Sequence, residues 1–197
     1  IDDIYDSIFI MNMLSAMSDL FISLSGTELK ADQVNLYDFS GYVLEAGIST
    51  IVKKTDGSKD EWIEVARELE EKKVLTPPYC TREYTKTATY DQWFISLYRS
   101  FNNQYKRGVG VIETAKQCKS VFKSIITYKK KNHEDAASIY VFDSNGDLIY
   151  PYDISQEYKA ALQPYYELTK GDDSALTFIS PLTGKTEYAA EAVSSYT

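Results

Sequence analysis

Val34-Asn35-Leu36-Tyr37-Asp38-Phe39-Ser40-Gly41-Tyr42-Val43-Leu44 and Ile139-Tyr140-Val141-Phe142-Asp143-Ser144-Asn145-Gly146-Asp147-Leu148-Ile149 share one design. Each is an apolar run, then Asp-x-x-Gly, then a second apolar run. Asp at the first corner can bond its own backbone, and Gly supplies the positive φ that a tight hairpin demands. One such hairpin is common in β-containing proteins. Two, each followed by a helical stretch and then by more strands, point to one α/β module used twice.

Upstream of the first hairpin, Ile8, Phe9, Met11, Met13, Leu14, Met17, Leu20 and Phe21 recur at helical spacing, and Ser25-Gly26-Thr27 ends the run. Downstream, Thr55-Asp56-Gly57-Ser58 is a turn before an amphipathic helix over 60–73 that sets Trp62, Val65, Ala66 and Leu69 on one face. Its early acids and late lysines suit the helix dipole. Thr76-Pro77-Pro78 stops it, and strands are expected over 79–84, 93–98 and 109–113. A second helix is expected over 114–131 from Ala115, Cys118, Val121, Phe122, Ile125 and Ile126, with a lysine-rich end. It runs into the second hairpin without a Pro/Gly/Ser linker. After that hairpin come a helix over 155–170, a strand over 175–180, the turn Pro181-Leu182-Thr183-Gly184 and a strand from Glu187. The second copy lacks a counterpart of the Gly-Val-Gly-Val-Ile strand and its helix, so it reads as cut short. The opening at Ile1 and the strand-like end at Tyr196-Thr197 read as a piece of a longer chain.

The 197 residues carry a net charge of −8 and are 44% apolar, as in an ordinary globular protein. An acidic surface repels phosphate backbones, so nucleic acid is not an expected partner. The run over 8–24 holds Asn12, Ser15, Ser18 and Asp19 and reads as a buried helix and not a membrane span. Tyrosine is abundant, 17 against 8 Phe, which suits half-buried wet positions such as pocket walls. Cys80 and Cys118 are expected as two buried thiols, with a disulfide between them as the alternative outside the cytoplasm.

Catalytic patterns are missing. Gly108-Val109-Gly110 lacks the Lys-Ser/Thr of a phosphate loop, and there is no Gly-x-Ser-x-Gly. The single histidine, His133, sits in a polar connector, and four zinc ligands at suitable spacing are absent. Glu70-Glu71 and Asp172-Asp173 lie in charged, solvated contexts. No enzymatic activity, cofactor or metal is expected.

The order of these elements resembles the double Cache sensor domain, two stacked PAS-like modules from the extracytoplasmic part of bacterial membrane receptors. Asp38-Phe39-Ser40-Gly41 through Gly108-Val109-Gly110-Val111-Ile112-Glu113 corresponds to the membrane-distal module. Asp143-Ser144-Asn145-Gly146 through Ser180-Pro181-Leu182-Thr183-Gly184-Lys185 corresponds to the proximal one. The Tyr-rich version is most similar to sensor histidine kinases of Gram-positive bacteria. The resemblance implies an α/β (α+β) fold of two tandem PAS-like modules, with antiparallel sheets flanked by helices and a long joining helix. Residues 1–131 would form the N-terminal helix and distal module, and 132–197 the truncated proximal module. It further implies an extracytoplasmic location, a homodimer, membrane contact only through flanking spans, and ligand binding in the distal module.

For amino-acid ligands the family frequently uses Arg-x-Trp-Tyr, then Tyr-x-Asp, then an Asp closing the last strand. This chain keeps Trp62 of the first run, Tyr79 of Tyr79-Cys80-Thr81, and an acid at Glu113. The missing arginine would hold an α-carboxylate bidentately, so an amino acid is less expected than a sugar, peptide or organic acid. Arg82 and Arg99 are candidate substitutes. The expected ligand-binding set is Trp62, Tyr79, Thr81, Arg82, Tyr84, Trp93 and Glu113. Trp62 equally suits the core, Glu113 equally suits a helix cap, and either Trp93 or Phe94 must face away from a pocket, because strand neighbours alternate. Delivery of the ligand by a separate binding protein stays open. So does the output: chemoreceptor, cyclic-dinucleotide enzyme, or a surface module that pairs only with a partner.

Overall fold

The computed structural model describes residues 15, 31–38, 42–48, 51–54, 73–81, 92–102, 108–132, 137–169 and 176–192. Residues 60–72 of the helix expected over 60–73 and His133 lie outside them, whereas Lys73 opens a strand; the helix expected over 8–24 also lies outside apart from Ser15, which is helical. By its contacts the chain divides into two compact units, 1–124 and 125–197.

The first unit is built on a seven-stranded antiparallel sheet. β1 (Gln33–Asp38) and β2 (Tyr42–Gly47) form the first expected hairpin, with Asp38 opposite Tyr42 and Gln33 opposite Gly47. β3 (Ile51–Lys54) continues the sheet beyond β2. On the other side β1 pairs with β7 (Gly108–Gln117), which pairs with β6 (Gln92–Asn102). β4 (Lys73–Leu75) and β5 (Tyr79–Thr81) lie along different stretches of β6. The hairpin strand β1 is therefore central, and both its faces are covered: Val34 is 0% exposed on one and Asn35 is 1% exposed on the other.

Gly47 closes the end of β2 with φ +128°, and a Cβ there would lie 2.4 Å from the Asp32 carbonyl oxygen. Only glycine fits a strand end that tight.

β7 is longer than expected. Thr114 to Gln117 remain extended, because they pair with Leu97 to Phe94 of β6, and Gln33 and Val34 of β1 pair with Ala115 and Thr114. Ala115 satisfies both the strand period and the helix period, and the pairing on both sides decides between them. Asp32 accepts the Gln117 N–H over 2.8 Å at the strand's end. Helix begins only at Cys118, as a short α1 (Cys118–Val121), a break at Phe122, and α2 (Lys123–Asn132). Cys118 is buried as expected, whereas Cys80 on β5 is exposed. β5 is short and sits at the margin of the sheet, so an alternate residue there faces outward.

In the second unit, β8 (Val141–Phe142) and β9 (Leu148–Tyr150) form the second hairpin. Its turn follows the expected chemistry: Asp143 Oδ1 accepts the N–H groups of Asn145 and Asp147, each over 2.9 Å, and Gly146 has φ +88°. α3 (Gln156–Thr169) follows, started by Ser155, whose Oγ accepts the Tyr158 N–H. β10 (Leu176–Ile179) and β11 (Thr186–Ala189) form an antiparallel ribbon. Leu148, Leu162 and Tyr165 make the core, with Tyr140, Phe142, Ile154, Phe178 and Leu182 against it.

Candidate functional site

Cross-strand partners project from the same face of a sheet. Across β2, β1, β7 and β6 the register sets Glu45, Asn35, Glu113 and Tyr98 in one row. The neighbouring row on that face holds Gln33, Ala115 and Ser96. Gln33, Asn35, Glu45, Ser96 and Glu113 are all buried. Polar groups in such numbers persist inside a protein only when hydrogen-bonded.

Glu113 is the hub. Asn35 Nδ2 donates to its Oε2 over 2.8 Å, and the Tyr37 hydroxyl donates to the same oxygen over 2.6 Å. The Ser96 hydroxyl donates to Oε1 over 2.6 Å, and the Tyr79 hydroxyl reaches it over 3.1 Å. Behind Asn35, Gln33 Nε2 donates to Asn35 Oδ1 over 2.8 Å. The Tyr79 and Ser96 hydroxyls are themselves 2.6 Å apart. Two hydroxyl protons cannot fill three oxygen contacts, so one contact in this triangle is shared.

Aromatic rings flank the network. Tyr37 stacks on Tyr98 at 6.5 Å between ring centres, and Tyr79 lies against Phe94 at 6.4 Å. Thr76 holds the floor: its Oγ1 accepts the Ser96 N–H over 3.0 Å, and its own N–H donates to the Ser96 carbonyl over 2.9 Å. Two carboxylates, Glu45 and Glu113, face Asn35 from opposite sides at 6% and 0% exposure. The described part of this face thus combines acceptors, hydroxyls and rings.

Of the residues expected from sequence, Glu113 and Tyr79 meet in this network. Glu113 lies inside β7, four residues before the strand's end, so it does not cap the following helix. Thr81 pairs with Gln92 and shares the face, toward one end. Trp93 pairs with Cys80 and stands on the opposite face, because it alternates with Phe94 and Ser96. Arg99 is exposed and pairs with Ile112, also on that opposite face. Trp62, Arg82 and Tyr84 lie outside the described residues. Asn35, Tyr37 and Ser96 were not anticipated. The available signal was polar Gln33, Asn35 and Tyr37 at every second position of β1, which in a half-exposed hairpin would simply face water. Among the described residues no cluster suits a metal ion, and no helix is long and apolar enough to cross a membrane.

No family model and no curated protein matches the chain. Solved structures do. The ligand-binding domain of the Pseudomonas aeruginosa amino acid chemoreceptor PctC, in complex with GABA, is 11% identical at a TM-score of 0.57, over 92% of this chain and 84% of that one. The extracellular domain of rpHK1S-Z16, described as a histidine kinase, is 14% identical at 0.55, over 93% and 81%. The ligand-binding domain of the Campylobacter jejuni chemoreceptor Tlp3, in complex with L-norvaline, is 16% identical at 0.53, over 81% of this chain. This chain spans 59% of the Tlp3 domain's length. At these identities the likeness is one of fold: a mixed α+β arrangement of the Cache-like, PAS-like kind found in extracytoplasmic sensor domains.

Proposed function

We propose that this chain is the extracytoplasmic sensing part of a transmembrane receptor and binds a small molecule on the Glu113 face of its first module. The observation that carries the reading is the Asn35–Tyr37–Tyr79–Ser96–Glu113 network on one sheet face, with Asn35, Ser96 and Glu113 buried and the two tyrosines half-buried. A stability-driven core would fill that face with apolar side chains. Retaining a fully buried carboxylate costs free energy and points to a recognition task.

The ligand is one that brings hydrogen-bond donors, an ammonium group or a row of hydroxyls. Glu45 and Glu113 on one face disfavour a ligand whose buried end is a carboxylate. PctC and Tlp3 are seen with GABA and L-norvaline, amino acids that carry an ammonium as well as a carboxylate, and the ammonium is the end that this face would take. The output is a histidine kinase, in line with the likeness to rpHK1S-Z16, and the two chemoreceptor neighbours favour chemotaxis as the second reading. Signalling follows from population shift: a ligand that binds one arrangement of the module better biases the receptor toward it, within a homodimer.

The test is a thermal-shift screen of amines, amino acids, sugars and short peptides against the wild-type chain and Glu113→Gln. A ligand at about 100 times its Kd adds roughly 2.7 kcal/mol of stability, a readily visible rise in Tm. A shift present in wild type and lost in Glu113→Gln supports a direct sensor. An equal shift in both removes this face as the site.

A further inference from the structure

The chemistry around Glu113 recurs in the second unit. Phe94-Ile95-Ser96 in the first unit and Phe178-Ile179-Ser180 in the second are the same tripeptide, which also occurs at 21–23, outside the described residues. In each unit the serine hydroxyl lies 2.6 Å from a tyrosine hydroxyl, Tyr79 with Ser96 and Tyr165 with Ser180. In each, that tyrosine ring contacts the phenylalanine of the tripeptide, Tyr79 on Phe94 and Tyr165 on Phe178 at 5.5 Å. In each, the tyrosine hydroxyl also reaches a glutamate, Glu113 or Glu187. The supports differ: Tyr79 is on a strand and Tyr165 on a helix, so the side-chain chemistry repeats while the topology does not.

The two carboxylates differ in one respect. Each oxygen of Glu113 has a donor at 2.6 Å. Glu187 is half-buried; Thr183 Oγ1 donates to its Oε1 over 3.0 Å. Among the described residues the donor to Oε2 is the Tyr165 hydroxyl at 3.4 Å. That distance lies beyond a good O–H···O bond. A half-buried carboxylate oxygen is thus under-supplied with donors. Two rings adjoin it: Tyr165, whose hydroxyl makes that contact, and Phe178, the cross-strand partner of Glu187, 5.5 Å from the Tyr165 ring. Rings give a cation a favourable face, and a carboxylate gives an ammonium a hydrogen-bond acceptor.

We infer that Glu187, with the rings of Tyr165 and Phe178, forms a second binding site, in the second module, for a small organic ammonium. The inference rests on reading the Tyr–Ser–Glu grouping of the first module as a ligand site. The ammonium sits at Glu187 Oε2 and donates to it, while its alkyl part lies along the rings. Tyr165 stays bonded to Ser180 and keeps the turn over 180–185 closed, where Ser180 N–H donates to the Lys185 carbonyl over 2.8 Å.

The experiment is an amide-resolved NMR titration of the whole chain with ethylammonium chloride, with sodium chloride at equal ionic strength as the reference. Saturable shifts at Thr177 to Tyr188 are expected, with binding at least tenfold weaker in Glu187→Gln. Should that variant not fold, Glu187→Asp withdraws the carboxylate by one methylene and serves the same purpose. Shifts that match those from sodium chloride, or that survive Glu187→Gln unchanged, overturn the second site. Location separates the two proposals: saturable shifts confined to 31–117 overturn this inference and keep the first site, and shifts confined to 177–188 do the reverse.

Discussion

Asn35 and Glu113 stand directly opposite each other on β1 and β7, and the Asn35 amide donates to Glu113 Oε2 over 2.8 Å although 78 residues separate them. This bond adds a side-chain tie to the backbone pairing of β1 with β7, the strand that leads into the helices. It makes the centre of the sheet depend on a polar pair, and several measurable consequences follow from that.

Replacing Glu113 with Gln puts an NH2 group where two oxygens now accept from Asn35, Tyr37, Tyr79 and Ser96. At least one buried donor then faces another donor. A loss of about 1–3 kcal/mol is expected for the mismatch. Urea denaturation would show it as a lowered midpoint with an unchanged slope; a midpoint equal to wild type would mean the network is not formed in solution.

Tyr37→Phe removes the hydroxyl that bonds Glu113 over 2.6 Å and keeps the ring stacked on Tyr98. Combined with Glu113→Gln in a double-mutant cycle, it should reveal a coupling of about 0.5–3 kcal/mol, the range for residues in one hydrogen-bonded network. Simple additivity of the two changes would place Tyr37 outside the network.

Gly47→Ala should destabilise the first unit by about 1–3 kcal/mol, because φ +128° is unfavourable for alanine and the new Cβ would press on the Asp32 carbonyl. Backbone on the other side of the contact leaves little room to yield. A melting temperature at or above that of wild type would contradict this geometry.

Leu162→Ala tests the second unit separately. Leu162 is fully buried against Leu148 and Tyr165, so a loss of about 2–5 kcal/mol is expected from burial and cavity. Amide exchange should accelerate in 137–192 more than in the β6–β7 pair. Uniform acceleration would instead show that the units unfold together.

Burial is the main influence raising the Tyr140 phenol above 10.0, the neighbouring Tyr158 and Tyr165 adding to it while a hydrogen bond with Ser138 works the other way. A raised acid group ionises later in the folded chain than in the unfolded one. Its contribution to stability is therefore complete below pH 10 and is lost as pH climbs through the folded value. Denaturation midpoints measured from pH 9 to 11.5 should fall at the alkaline end, and Tyr140→Phe should lessen that fall. An identical fall in Tyr140→Phe would assign it to other groups.

Local chemistry made part of this protein legible in the sequence. The Asp-x-x-Gly hairpins, the Ser155 start of α3 and the 181–184 turn depend on residues close in the chain, whose own backbone preferences specify them. Glu113 and Tyr79, which the order of motifs singled out, do meet in one hydrogen-bonded network. What tertiary structure alone decided is non-local. β7 runs on to Gln117 because strands on both sides pair with it, overriding a helical spacing that Ala115 fits equally well. Trp93 was separated from Glu113 by strand alternation once the β6–β7 register set Tyr98 opposite Glu113. The burial of Gln33 and Asn35 beside Glu113, with Tyr37 half-buried next to them, followed only from β1 becoming a central strand. A polar residue at every second position reads as a wet face until another strand covers it. The energy that settles such a face is the hydrogen bonding and desolvation of groups far apart in sequence, which no local window contains.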